Sequence, residues 1–109
     1  MLNLTVIAVG RLNAAYYKQA AAEYEKRLSA FCKVHVIELA EEAIAEKNAS
    51  PAVIEKALEK EGKAILAAVP KGAVLTALCV EGRQLSSEAL AHRLSEWAVS
   101  GVSCAAFAI

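Results

Sequence analysis

Apolar and polar positions along this chain switch between a two-residue and a helical period, and the switches mark seven elements. Leu2–Val9 is a β-type run that ends at Gly10, a natural strand-to-loop break. Tyr17, Ala21, Tyr24, Leu28 and Phe31 then follow helical spacing. They predict a helix over Ala14–Ala30, with Asn13 as N-cap and the aromatic stripe, off which Tyr16 lies, as its core face. Val34–Leu39 reads as a second strand, with His35 a half-exposed residue within it, and Ala40–Ala49 reads as a loop. Ser50 and Pro51 open the next helix as N-cap and first helical residue, and Ile54, Leu58, Ile65 and Val69 line one side of Pro51–Ala68. Gly62 falls on that same stripe, where glycine costs about 1 kcal/mol relative to alanine. Close packing of helix against sheet is the expected compensation. Glu59 and Lys63, four residues apart, form a supporting ion pair.

Pro70-Lys71-Gly72 turns the chain into a strand over Ala73–Val80. Only Thr76 interrupts the apolar run Val74–Val80, which suits a strand covered on both faces. After Gly82, Ser86 caps a helix over Ser87–Val99, whose apolar side is Leu90, Leu94, Trp97 and Val99, with His92 facing outward. Gly101 breaks it, and Ser103–Ile109 is a last apolar strand. The order β-α-β-α-β-α-β implies an α/β fold: a mostly parallel sheet, helices on both faces, right-handed crossovers. Ligands in such sheets sit beyond the carboxyl ends of the strands, so a site is expected near Leu78–Gly82. Ile109 ends the chain inside an apolar strand, without turn, polar cap or charged tail, so the sequence reads as a protein cut short.

Composition narrows this picture only in places. At 109 residues the chain is one domain. Its 57% apolar content exceeds the roughly 45–50% of ordinary globular chains, which suits either a doubly covered sheet or a surface made for a partner. Formal net charge is zero, so gross charge does not announce nucleic-acid binding. Arg11, Lys18, Lys26, Arg27 and Lys33 nevertheless outnumber Glu23 and Glu25 in the first third, a pattern that fits either a phosphate-facing or a merely solvated helix. There is no aspartate, so any carboxylate chemistry must use glutamate. Cys32, Cys79 and Cys104 lack zinc-ligand spacing to each other or to either histidine, and Cys79 and Cys104 read as small hydrophobes in apolar runs. No metal site, signal peptide or membrane span is expected, and the thiols read as reduced and cytoplasmic. Dinucleotide, P-loop, nucleophile-elbow and zincin motifs are all absent.

Five stretches carry a resemblance. VIAVGRL (Val6–Leu12), EYEKRL (Glu23–Leu28), EKEGKAIL (Glu59–Leu66), LCVEGRQLSSEALA (Leu78–Ala91) and the closing FAI occur in this order. Together they resemble the amino-terminal two-thirds of the bacterial ribosomal RNA large-subunit methyltransferase H family of the SPOUT superfamily. The resemblance implies an S-adenosyl-L-methionine-dependent methyltransferase acting as a homodimer on N3 of a pseudouridine in the 23S ribosomal RNA of the assembled ribosome. It implies a single SPOUT-type α/β-knot domain over residues 1–109, incomplete because it stops before the trefoil knot. It places Leu78 against the cofactor and puts the remaining cofactor contacts and the catalytic residues beyond Ile109. Without the resemblance the favoured reading of Leu78 is core. The chain alone is accordingly expected to be inactive; the alternative is a non-catalytic fragment that acts as a binding or self-associating module.

Overall fold

The computed structural model describes residues 2–44, 47 and 49–109. Three positions of the loop expected over 40–49 therefore lie outside the described residues. The elements are β1 (Leu2–Val9), α1 (Ala15–Leu28), β2 (Cys32–Leu39), α2 (Pro51–Ala68), β3 (Val74–Ala77), α3 (Ser87–Val99) and β4 (Cys104–Ala108). All strand pairings are parallel, in the order β2-β1-β4-β3. Consecutive crossovers run in opposite directions along the sheet, so right-handed connections set α1 and α3 on one face and α2 on the other.

Local chemistry accounts for the helix starts. The Ser50 hydroxyl accepts from the Val53 N–H at 3.3 Å, with Pro51 in the first turn, and the Ser86 hydroxyl accepts from the Ala89 N–H at 3.0 Å. Lys63 and Glu59 pair at 3.5 Å, and exposed His92 faces outward against Glu96 at 2.8 Å. His35 is an exposed residue of β2. The α1 start departs from expectation: its N-cap is Ala14, which makes no side-chain cap bond, and not Asn13. Asn13 stands one residue before the cap position and is among the residues lining a groove.

The core is small and sits where β1 and β4 lie side by side. Among the described residues Ile7 is fully buried, Ala105 and Ala106 are buried on successive positions, and Thr5, Cys32, Ala57 and Ala108 are buried with them. Burial of consecutive residues in β4 marks a strand covered on both faces.

Four expectations change here. The Val74–Val80 run is not a central, doubly covered strand: β3 is a four-residue edge strand, because β4 inserts between it and β1. The α1 stripe is not core; Tyr17, Tyr24, Leu28 and Phe31 are all exposed, Phe31 by 78%, and α1 has no buried residue. A Cβ at Gly62 would meet nothing within 4 Å, so close sheet packing does not explain that glycine. Cys79 is exposed rather than packed, because the chain has left the sheet before reaching it.

These findings share one cause. The chain exposes 8464 Å², against about 5,800 Å² for a folded monomer of its mass. Its radius of gyration, 15.9 Å, exceeds the roughly 13 Å usual for this length. The helices rest lightly on the sheet, so their apolar faces stay open.

Candidate functional site

Parallel strands deliver all four carboxyl ends to one edge, so that edge is where side chains from separate loops converge. Ile37, Ile7, Ala108 and Ala77 lie at one level across the sheet. Just past them the backbone stitches the rim together. Leu78 N–H donates to the Ala108 carbonyl at 2.8 Å, Ile109 N–H to the Ile7 carbonyl at 2.9 Å, and Gly10 N–H to the Leu39 carbonyl at 2.8 Å.

Leu78 is the first residue beyond β3 and is 56% exposed. A tight turn follows, in which Gly82 N–H donates to the Cys79 carbonyl at 3.0 Å. A Cβ at Gly82 would stand 3.1 Å from that oxygen, so a glycine suits the close approach. Val80, at the turn, is wholly exposed. Leu78 is therefore an open apolar surface at the rim, not a core residue. It lies at the end of an edge strand rather than a central one.

A second feature lies at the other end of the same rim. A groove of about 530 Å³ is lined by Gly10, Arg11, Asn13, Glu38, Leu39, Ala40 and Glu41, from the carboxyl ends of β1 and β2. Gly10 has φ +98°, and a Cβ there would run into the Glu41 carboxylate. The lining sets one guanidinium and one amide against two carboxylates. Neither Leu78 nor the Leu78–Gly82 turn borders it. The groove is separate from the site expected near Leu78–Gly82. The carboxyl-end rule applies as well to the Val9-Gly10 break as to Val80-Gly82, and that break is the sequence signal that points to the groove.

Among the described residues no three His, Cys, Asp or Glu side chains gather as a metal-ligand set, and all three cysteines are free thiols. Neither histidine lines the groove: His35 sits opposite Thr5, and His92 is on the exposed side of α3. Among the described residues no helix is long and apolar enough to cross a membrane.

The four-stranded parallel sheet flanked by helices is an α/β fold, and the chain belongs to the SPOUT methyltransferase family. The model described as "Predicted SPOUT methyltransferase" matches residues 2–109. The chain is 44% identical over 108 residues to "Ribosomal RNA large subunit methyltransferase H" of Bifidobacterium animalis subsp. lactis (strain AD011), a match that takes in 99% of this chain and 67% of that protein. The motifs behind the resemblance fall into place structurally. VIAVGRL ends at the groove, LCVEGRQLSSEALA begins at Leu78, and FAI closes β4 between them.

Proposed function

We propose that this chain serves S-adenosyl-L-methionine-dependent methylation of N3 of a pseudouridine in large-subunit ribosomal RNA, in the cytoplasm, as part of a homodimer. The observation that carries the reading is Leu78: an exposed apolar side chain at a strand's carboxyl end, opening the longest motif shared with that family. S-adenosyl-L-methionine fits this rim on one side. Its apolar portion finds Leu78. When bound, the cofactor supplies an electrophilic methyl group on a sulfonium.

The chain's own contribution is positioning. Leu78 is held in place because its N–H is bonded to β4 at Ala108, so the side chain projects from a fixed backbone. Methylation of a ring nitrogen requires that nitrogen to be deprotonated and aligned with the donor, so orientation and proton removal are the enzyme's tasks. Residues 1–109 act as one α/β domain that furnishes a single wall of the cofactor pocket. The chain alone accordingly neither binds S-adenosyl-L-methionine tightly nor methylates ribosomes. Isothermal titration of the 109-residue chain with S-adenosyl-L-methionine tests this: no measurable heat is expected at micromolar concentrations, and a micromolar Kd overturns it.

The exposed area favours a second reading beside this one, a non-catalytic binding or self-associating module. The excess of roughly 2,700 Å² over a folded monomer is more than three times the ~800 Å² that each partner gives to a standard interface. Methyl transfer to assembled ribosomes by this chain would exclude the second reading; self-association in sedimentation velocity favours it.

A further inference from the structure

We infer that Leu58, Gly62 and Leu66 form a seam on α2 through which a second copy of this chain docks, α2 against α2, in antiparallel. This contact depends on neither reading above, since it uses no residue of the carboxyl rim.

The seam is centred on a glycine that the fold does not otherwise require. Gly62 lies in the interior of an 18-residue helix, where only proline is a poorer choice. No atom of the described chain stands within 4 Å of the place a Cβ would take. The bare backbone there serves nothing inside the molecule and suits the close approach of another chain. Leu58 and Leu66 stand one turn to either side of it, 62% and 66% exposed, while Ala57 is buried and marks the side of α2 that faces the sheet. The three residues form one i, i+4 row. Such rows interdigitate when two helices cross at about −50°, the commonest helix packing in globular proteins.

The symmetry of the row selects a copy of itself as occupant. A two-fold axis beside Gly62 reverses the partner helix, so each Leu58 meets the other copy's Leu66 and the two glycines lie at the crossing. The charges repeat this pattern. Glu59 and Lys63 each follow a seam residue by one position, so they flank the row on one side, where both are exposed and pair within the helix at 3.5 Å. The same axis sets each Glu59 beside the other copy's Lys63, offset by two residues or ~3 Å along the helix. Both ion pairs can thus be exchanged between copies without a like-charge contact. A uniformly acidic or basic partner finds no such match. The chain also has surface to give: its excess of roughly 2,700 Å² over a folded monomer exceeds the ~800 Å² of one side of a standard interface.

The test is thiol trapping of the 109-residue chain. L58C and L66C forms, each also carrying C79S to remove the exposed native thiol, are mixed in equal amounts, oxidised mildly and mapped by mass spectrometry. The disulfide joining position 58 of one copy to position 66 of the other is expected in clear excess over both like-with-like disulfides. A share no greater than random mixing gives overturns the seam. Sedimentation velocity supplies an independent readout. G62A is expected to raise the self-association Kd roughly tenfold, as an extra methyl forced into a packed contact does, while the denaturant midpoint of the same chain rises. K63E is expected to weaken association, and E59K added to it to restore association. A G62A form that gains stability yet associates as the wild type does also overturns the seam. Methyl transfer to ribosomes is read in a separate assay, so failure of the seam and failure of the proposed function are distinguishable.

Discussion

Ile7 and Gly62 show how differently single residues weigh in a thinly packed chain. Among the described residues Ile7 is the one large side chain that is fully buried, so Ile7→Ala removes core packing. It should cost about 2–5 kcal/mol, read as a lowered denaturant midpoint. Gly62 has the opposite sign. Open space surrounds its Cβ direction inside α2, so Gly62→Ala should stabilise by about 0.5–1 kcal/mol through helix propensity alone. Gly10 shows why the surroundings decide: at φ +98°, with the Glu41 carboxylate in the way, Gly10→Ala should destabilise by about 1–3 kcal/mol. Leu78→Ala, by contrast, should change the unfolding free energy by less than about 1 kcal/mol, since the side chain is already half in water. A larger loss would mean that Leu78 is core after all.

At the scale of elements, capping was legible and covering was not. Ser50 and Ser86 begin their helices as their local sequence dictates, because a cap bond reaches only to the third residue on. Replacing Ser86 by alanine should cost about 1 kcal/mol, visible as reduced helicity of α3 at intermediate denaturant. The α1 stripe of Tyr17, Tyr24, Leu28 and Phe31 was equally clear as a period. A period says only that a helix has an apolar face, not that anything in the chain covers it. The same gap explains β3. The apolar run through Val80 identifies a strand, but edge or centre is set by where β4 inserts, a pairing with no local signature.

At the scale of the whole molecule, the open apolar surface sets the behaviour in solution. Sedimentation velocity across a concentration series should show self-association, since exposed Tyr, Leu and Phe faces and the unpaired β3 edge invite it. A monodisperse monomer at high concentration would argue that these faces need no partner. The candidate site divides along the same line. The motif at Leu78 and the alternation of strands and helices were readable, because residue identity and short-range periodicity are written directly along the chain. So was the family, carried by five motifs in order. The groove was not, for Arg11, Asn13, Glu38 and Glu41 become one lining only when β2 pairs with β1 and aligns Leu39 with Val9. The sequence by itself determined the order of elements, the Ser50 and Ser86 caps and the methyltransferase lineage, all of which depend on neighbours within a few residues. Tertiary structure alone decided which apolar faces are buried and which polar groups meet, because both depend on pairings between residues far apart in the chain.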